Sequence, residues 1–388
     1  MAEQAGSRYP LRLKRRPAFE AGDNRLRVVD LFAGCGGLSL GAGMAARELG
    51  RGIDLRLAVD YEEAATTVYS ANFPKAASVR TESVESLFSS SLRAPVTETE
   101  SALVTKTGVV DILMGGPPCQ GHSNLNNHTR RNDPKNALYL YMVRAAALLQ
   151  PDVVLIENVP AVLHDTFSGA NVVEVARHEL KALGYEVADT VVSLVDLGVA
   201  QKRKRHILLA TSASLAAPSA VFENLGAEKP KHRTLRWAIG DLARSDGTGW
   251  DKPPSASETN ETRMQYLVEK EVVDLPNALR PKCHQGVHSY VSMYGRLTWS
   301  DPAQTITSGF GSIGQGRYMH PSEKRALTAH EAARIQGFPD YFDFSDIERK
   351  SDLATMIGNA VPPQLSASIL SLLYGSDSSD GADDHTDG

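Results

Sequence analysis

The residue with the clearest chemical potential is Cys119, in the tetrad Pro117-Pro118-Cys119-Gln120. The tetrad follows the apolar run 109–114 and two glycines, a pattern that predicts a buried strand opening into a turn. A turn at the end of a buried strand can present a thiolate to a ligand crevice, where it acts as a nucleophile. Because a single cysteine is more often a small buried apolar residue, the assignment depends on what accompanies it.

Two later segments place charged groups at the ends of predicted strands. Glu157, in Glu157-Asn158-Val159, follows the run 153–156 and offers an acid. Arg203 and Arg205, in Gln201-Lys202-Arg203-Lys204-Arg205, come just before the run 206–210 and offer donors. Taken singly, such a glutamate is usually a rim residue or a cap, and such a basic run is usually an exposed patch. Together with Cys119, in this order, they indicate a catalytic site.

A glycine turn near the N-terminus indicates a ligand pocket. Gly34, Gly36 and Gly37 lie between a predicted strand and a helix, where a wound sheet binds its ligands. Asp60 ends the next strand, so its carboxylate can accept hydrogen bonds from both ribose hydroxyls, and Tyr61 can lie against adenine. These features fit either a dinucleotide or S-adenosylmethionine. The Gly-x-Gly-Gly spacing disfavours a nicotinamide-dependent dehydrogenase.

The elements that must position these residues alternate between strand and helix, which predicts an α/β fold with a parallel sheet wound by helices. A serine- and threonine-rich stretch, 89–108, is interpreted as an inserted surface loop, and residues 212–326 show little regular pattern. Helices are predicted again near 328–337 and 353–374. The other predicted strands are 28–32, 55–60, 109–114, 153–156, 186–195 and 206–210, and the other helices are 41–49, 62–72 and 137–149.

Composition limits the class of protein. The 388 residues are 42% apolar, enough for a sizeable core, and include no apolar run long enough to span a bilayer and no export signal. Three cysteines are too few and too scattered for a disulfide frame or a zinc site, so no metal is expected, and a reducing cytoplasm would keep Cys119 free. The net charge is -5, and the five aspartates after Gly375 account for it, which leaves a neutral body with local basic stripes.

In chain order, these segments resemble the cytosine-carbon-5 DNA methyltransferase family from about residue 26 to residue 374. The resemblance continues through 295–307, through 320–339, and through Gly358-Asn359-Ala360-Val361-Pro362-Pro363. It implies an S-adenosylmethionine-dependent, Rossmann-like parallel-sheet domain with a smaller irregular target-recognition domain. The implied domains are a flexible basic arm, 1–25, a catalytic domain, 26–211 and 328–374, a target-recognition domain, 212–327, and a disordered acidic tail, 375–388.

The resemblance also implies roles for individual residues. Cys119 would add to carbon 6 of an extruded cytosine, Glu157 would lie near ring nitrogen 3, Arg205 would face the exocyclic oxygen, and Arg203 would support the active loop or a phosphate. S-adenosylmethionine would be held by Phe32, Ala33, Gly34, Gly36, Gly37, Asp60, Tyr61, Glu82, Pro118, Asn359 and Val361. Duplex DNA would be contacted by Gln120, Ser123, Arg130, Arg131, Lys229, Lys231, Arg233 and Arg236.

Two other functions remain as alternatives. The tRNA-methylating branch of the family shares this chemistry but is marked by a Cys-Phe-Thr tripeptide, whereas here Cys283 is followed by His284 and Gln285. A non-catalytic DNA-binding regulator on the same scaffold should have lost Cys119, Glu157 or the glycine turn, and all are present. We expect a cytoplasmic monomer, with no membrane partner and with a cognate restriction endonuclease as a functional rather than physical partner.

Overall fold

The computed structural model describes residues 10–89, 91–118, 134–225, 227, 232–244, 247–285 and 292–375. The chain divides into two compact units. The sheet unit comprises Pro17–Ser193, Lys204–Glu228 and Pro363–Gly388, and the irregular unit comprises Met1–Arg16, Leu194–Arg203 and Lys229–Pro362. Within the described ranges, no helix has the length and apolar character needed to cross a bilayer.

The sheet unit is built on a seven-stranded sheet with the order β3-β2-β1-β4-β5-β9-β8 in the described residues. The first five strands in that order are parallel. The strands are β1 (Arg25–Leu31), β2 (Gly52–Asp60), β3 (Val79–Thr81), β4 (Ile112–Gly115), β5 (Val153–Asn158), β8 (Glu186–Ser193) and β9 (Lys204–Thr211), and β6 (Thr166–Phe167) and β7 (Ala170–Asn171) form a separate hairpin.

Helices accompany this sheet, as the alternating pattern predicted. They are α1 (Gly37–Glu48), α2 (Glu63–Asn72), α3 (Val84–Leu87), α4 (Glu98–Thr107), α5 (Leu138–Leu149), α6 (Val172–Ala182), α7 (Pro218–Asn224) and α12 (Gln364–Gly375). The strands β4 and β5 are buried along their whole length, as their continuous apolar sequences require. One large apolar cluster joins these strands to α5 and α6.

Strand β9 is antiparallel to both of its neighbours, β5 and β8, so β8 runs in the same direction as the first five strands. The short connection between β8 and β9 explains this, because residues 194–203 contain no crossover helix that could return the chain for a parallel pairing. The pairing places the start of β9 beside the end of β5, since His206 pairs with Asn158.

The prediction of a surface loop over 89–108 was wrong in part, because the stretch contains α4. Thr97 begins the helix with a capping box in which its side chain and that of Glu100 satisfy each other's backbone groups. Glu100 is fully buried and pairs with Arg144 of α5 at 2.8 Å. The serine and threonine content suggested a loop, whereas Thr97 is the cap of a helix and Thr99, Ser101 and Thr105 are exposed residues of that helix.

The irregular unit contains α8 (Leu235–Ile239), α9 (Glu258–Glu269), α10 (Ala329–Ile335) and α11 (Lys350–Asn359), with several short 3₁₀ turns. Helix α9 was not predicted, because its sequence is polar and buries only Met264 and Leu267. A small apolar cluster around those two residues forms the core of this part of the unit. Helices α11 and α12 replace the predicted segment 353–374, and Pro362 and Pro363 lie between them.

The N-terminal residues that the structure describes are packed, although 1–25 was interpreted as an arm. In the irregular unit, Leu11 is buried, its carbonyl accepts from the backbone N–H of Asp340 at 2.8 Å, and Arg12 pairs with Asp241 at 3.2 Å. In the sheet unit, Phe19 is buried. Residues 1–9 and the predicted acidic tail beyond Gly375 lie outside the described residues.

Candidate active site and cofactor pocket

The glycine turn follows β1 at the carboxyl edge of the sheet. Phe32 has a φ of 57°, which a non-glycine residue adopts only where its surroundings hold it. Gly36 has a φ of 95°, and a Cβ there would lie 2.5 Å from Phe73 Cε2. A side chain at Gly36 is therefore excluded by both conformation and packing, whereas Ala33 and Gly34 at the start of the turn are half-buried.

Asp60, at the end of the next strand, is hydrogen-bonded directly to this turn. Its Oδ2 accepts from the Gly34 N–H at 2.8 Å, and its Oδ1 accepts from the Glu62 N–H at 3.0 Å. Burial raises the pKa of Asp60, and the two backbone donors oppose that rise. The carboxylate is half-buried and keeps further lone pairs for hydroxyl donors, and the neighbouring Tyr61 is 56% exposed.

Glu82 follows β3, whose Thr81 pairs with Asp60, so it lies at the same edge of the sheet. Its backbone N–H donates to the Asp60 carbonyl at 2.9 Å. Its carboxylate forms an ion pair with Arg80 and accepts from Ser86 Oγ at 3.0 Å. The structure thus brings Asp60 and Glu82, two of the predicted cofactor contacts, to adjacent strand ends, and the carboxylate of Glu82 is already engaged by side chains of its own segment.

A buried chain of polar groups below the glycine turn was missed from the sequence. Ser39 Oγ donates to Asp30 Oδ2 at 2.6 Å and lies 2.7 Å from Tyr69 Oη. Asp30 is fully buried, and burial raises its pKa to about 8, so the neutral carboxyl is favoured near pH 7. The signal available in the sequence was a charged residue inside an otherwise apolar strand.

Neither described cysteine offers a reactive thiolate in the sheet unit. Cys35, inside the glycine turn, is buried, and burial raises the pKa of its thiol to about 12. Cys283 is exposed and belongs to the irregular unit. Cys119 lies outside the described residues, but its neighbours Pro117 and Pro118 are described and continue from the end of β4.

Glu157 and Arg205 meet at the carboxyl end of β5. Arg205 Nε lies 2.5 Å from Glu157 Oε1, and both side chains are largely buried. The two residues project from the same face of the paired strands, because Glu157 is opposite Ile207 and Arg205 lies two residues before it. An acid and a guanidinium predicted from separate motifs therefore form one ion pair in the sheet unit.

Asn158 connects this pair to the segment that carries Cys119, and sequence reasoning did not single it out. Its Nδ2 donates to the Pro117 carbonyl at 3.0 Å, and its Oδ1 accepts from the Val159 N–H at 2.8 Å. Both Asn158 and Pro118 line a small cavity of about 10 Å³ with Tyr139 of α5. The position of Asn158 within the Glu157-Asn158-Val159 tripeptide was the available signal.

Arg203 belongs to the irregular unit, where it is buried. Its Nη1 donates to the Ile306 carbonyl at 2.8 Å, and both Nη atoms lie 3.3–3.4 Å from the Gly358 carbonyl. Gln201, two residues earlier, donates to Gln336 at 2.6 Å and accepts from the Ile306 N–H at 3.1 Å. These amide and guanidinium groups fix the backbone around residue 358.

The segment so fixed carries two predicted cofactor contacts. Gly358 packs against the backbone, since a Cβ there would lie 2.2 Å from the Ser308 nitrogen. Asn359, the last residue of α11, is exposed, and Val361 is half-buried. Their contribution to the cofactor pocket remains a prediction.

Few of the predicted DNA contacts fall in the described part of the chain. Arg236 is an exposed residue of α8, and Arg233 is a half-buried residue just before that helix. The remainder lie outside the described residues, namely Gln120, Ser123, Arg130, Arg131, Lys229 and Lys231. Among the described side chains, no group of three histidine, cysteine or carboxylate residues is placed to hold a metal ion.

Known proteins match almost the whole chain. The family model for C-5 cytosine-specific DNA methylases matches residues 26–374. The chain is 44% identical over 360 residues to Type II methyltransferase M1.BsuMI of Bacillus subtilis strain 168, an alignment that covers 92% of this chain and 82% of the relative. It is 31% identical over 353 residues to Type II methylase M.HgiDII of Herpetosiphon aurantiacus, covering 87% of this chain and 92% of that protein.

Solved structures share the fold. An E. coli prophage protein described as a DNA modification methyltransferase matches with a TM-score of 0.61 and 26% identity, over 90% of this chain and 98% of that one. S. pombe Dnmt2 matches with a TM-score of 0.61 over 91% of this chain and 99% of its own, and at 17% identity it supports the fold alone. The predicted Rossmann-like α/β fold is thus confirmed, and the chain belongs to the C-5 cytosine-specific DNA methylase family of enzymes.

Proposed function

We propose that this enzyme transfers a methyl group from S-adenosylmethionine to carbon 5 of a flipped-out cytosine in a specific short duplex DNA sequence. The transfer would proceed through a covalent bond between Cys119 Sγ and carbon 6. The observation that carries the proposal is the buried Glu157–Arg205 pair, 2.5 Å apart, at the sheet edge where the Pro117-Pro118 turn and the glycine turn also lie.

The chemistry requires a nucleophile because carbon 5 of cytosine is a poor one itself. Addition of the Cys119 thiolate to carbon 6 moves electron density to carbon 5, which can then attack an electrophilic methyl group. S-adenosylmethionine supplies that methyl group from its sulfonium. Methyl transfer leaves S-adenosylhomocysteine, and removal of the carbon 5 proton by a base such as water, with expulsion of the thiolate, then restores the aromatic ring and the free cysteine.

The paired side chains suit the two polar edges of cytosine. When protonated, the Glu157 carboxyl can donate to ring nitrogen 3 and accept from the amino group, and Arg205 can donate to the exocyclic oxygen. Because the carboxylate and guanidinium contact each other directly in this structure, an incoming base must replace one charge-assisted bond with bonds to both partners. The buried setting favours a ligand that satisfies both groups at once, since leaving either unpaired is costly.

The residues around the glycine turn fit the cofactor. Asp60 keeps lone pairs for ribose hydroxyls, the half-buried Gly34 has no neighbouring atom within 4 Å of where a Cβ would stand, and Tyr61 is the exposed residue that follows Asp60. Phe32 is held in a left-handed conformation at the point where the strand turns toward this pocket. Glu82 follows β3, which pairs with β2, and Pro118 follows β4, which pairs with β1, so we assign both residues to the same pocket.

Extrusion of the base follows from the chemistry, because carbon 6 is shielded inside a stacked duplex. M1.BsuMI and M.HgiDII are named as type II enzymes, which supports a role in restriction and modification with a cognate endonuclease as functional partner. Monomeric state remains a prediction.

Trapping on DNA that contains 5-fluorocytosine tests the covalent mechanism. The fluorine cannot leave as a proton does, so enzyme, cofactor and DNA should form a stable covalent complex. Cys119→Ser should form none, Glu157→Gln should form it much more slowly, and Glu174→Gln, which changes an exposed glutamate of α6, should match the wild type. Wild-type trapping on tRNA and not on DNA would favour the RNA alternative, and cofactor binding without trapping on either would favour the regulator.

A further inference from the structure

Four arginine side chains lie over aromatic rings in the described part of the chain. Arg233 is 4.6 Å from the centre of Trp237, Arg236 is 5.0 Å from Trp299, Arg263 is 5.0 Å from Tyr294 and Arg51 is 5.1 Å from Tyr374. All four are similar as cation–π contacts. They differ in where the guanidinium N–H groups are directed.

Two of the four donate to the protein. Arg263 donates to the Leu279 carbonyl and to Asn260 Oδ1, both at 2.9 Å, and Arg51 donates to Asn24 Oδ1 at 3.0 Å. Their contacts are those of arginines that fasten one segment to another. By contrast, the guanidinium groups of Arg233 and Arg236 make no hydrogen bond or ion pair with any residue that the structure describes.

The ring under Arg236 is held firmly by the irregular unit. Trp299 Nε1 donates to Ser322 Oγ at 2.7 Å, and the ring contacts His320 edge-on at 5.2 Å. The backbone N–H of Arg236 donates to the Trp299 carbonyl at 3.2 Å. Because a guanidinium is planar, contact of its face with a fixed indole leaves its N–H edge available to an outside acceptor.

The nearby acids are engaged elsewhere. Asp301 Oδ2 accepts from Thr298 Oγ1 at 2.7 Å and from Ser300 Oγ at 3.4 Å, and Asp196 lies 3.1 Å from His232. No described carboxylate therefore forms an ion pair with Arg233 or Arg236, which lie three residues apart on one short stretch of the irregular unit.

We propose that Arg233 and Arg236 form a paired clamp for the phosphate backbone of duplex DNA, with Trp237 and Trp299 holding the two guanidinium groups in orientation. The ligand is the backbone phosphate, which guanidinium binds in bidentate fashion and without regard to sequence. This inference rests on the proposed function and adds that these two residues supply affinity and register, whereas base recognition must come from other residues.

The salt dependence of binding to a mixed-sequence duplex tests the clamp. For B-DNA the slope of log K against log salt concentration changes by about 0.9 for each phosphate contact. Arg236→Gln should therefore reduce the slope by about 0.9, and Arg233→Gln with Arg236→Gln by about 1.8. Arg263→Gln is the matched control, because it removes a stacked arginine whose donors face the protein, and it should leave the slope unchanged.

A second variant separates orientation from charge. Trp299→Leu keeps both arginines, so the slope should persist while affinity falls about two- to fivefold, the size of an exposed cation–π contact. Circular dichroism and S-adenosylhomocysteine binding report whether each variant is folded. If the double variant does not fold, the slopes of the single arginine variants decide the test.

An unchanged slope in the folded arginine variants would overturn the clamp. An equal reduction of the slope in the Arg263→Gln control would also overturn it, as would a reduction seen only when single-stranded RNA replaces the duplex. Failure of the wild-type enzyme to methylate any DNA would instead contradict the proposed function itself. The two failures are therefore distinguishable.

Discussion

Replacing Arg144 with methionine should destabilise the sheet unit by about 3–5 kcal/mol, the range for a buried ion pair that loses one partner. Arg144 and Glu100 are 4% and 0% exposed, and Arg144 Nε and Nη2 donate to the two carboxylate oxygens at 2.8 Å. Arg144 Nη1 also donates to the Ala94 carbonyl at 2.9 Å. The substitution leaves a buried carboxylate, and the partly buried carbonyl groups of Leu92, Ala94 and Pro95, without their donor.

The pKa of Glu100 gives a second measure of the same interaction. The bond to Arg144, aided by the backbone donors Ser89 and Thr97 and opposed by burial, lowers that pKa from 4.5 to about 2, and at about 1.4 kcal/mol per pKa unit these interactions together contribute on the order of 3 kcal/mol. Because the pKa is lowered in the folded state, this stability is present above the ordinary pKa and is lost as the pH falls toward about 2. The two magnitudes agree.

Urea unfolding of the full chain, followed by hydrogen exchange across 89–107, provides the assay. Arg144→Met should unfold at lower urea and expose that segment first, and its stability should depend less on acid than that of the wild type. Adding Glu100→Gln to the variant should restore part of the loss, because the remaining buried charge is removed. A cost below about 1 kcal/mol for Arg144→Met, or an unchanged acid dependence, would refute the reasoning.

Four further substitutions probe the pocket. Burial raises the pKa of Asp30 to about 8, so stability should fall as the pH rises from about 4 to about 8, and Asp30→Asn should flatten that dependence in urea unfolding. Gly36→Ala should cost at least about 1–3 kcal/mol, because φ is 95° and the added carbon meets neighbouring rings, and thermal unfolding measures it. Asp60→Asn should weaken S-adenosylmethionine binding about tenfold in calorimetry, while an unchanged affinity would remove its ribose role. Asn158→Ala should lower kcat about ten- to hundredfold and leave cofactor affinity unchanged, because it removes the hydrogen bond to the Pro117 carbonyl in the segment that leads to Cys119. Equal losses of kcat and of cofactor affinity would indicate that the variant is misfolded.

The fold could be predicted because local sequence determines its strands and the turns that follow them. Buried parallel strands such as β4 and β5 have continuous apolar runs, and the turns after them contain glycine and proline. The Glu157–Arg205 contact follows from the same logic only after the antiparallel pairing of β9 is known, and no periodicity reveals that pairing.

Other features depend on distant contacts and could not be predicted from local pattern. Helix α4 is stabilised by Arg144, which lies 44 residues further along the chain than Glu100. The role of Asn158 depends on the Pro117 carbonyl, 41 residues earlier. Polar helices such as α9 carry too few apolar residues to show a helical period, although Ser257 caps the helix.

Base-resolution cytosine methylation mapping of DNA from a methylation-free bacterial host tests the central claim most directly. Cells that express this chain should carry 5-methylcytosine at one short motif throughout the genome, and cells that express Cys119→Ala should carry none. Methylation that persists in the cysteine variant would contradict the covalent mechanism. A genome that stays unmethylated although the wild-type protein is folded and abundant would contradict DNA cytosine methylation itself.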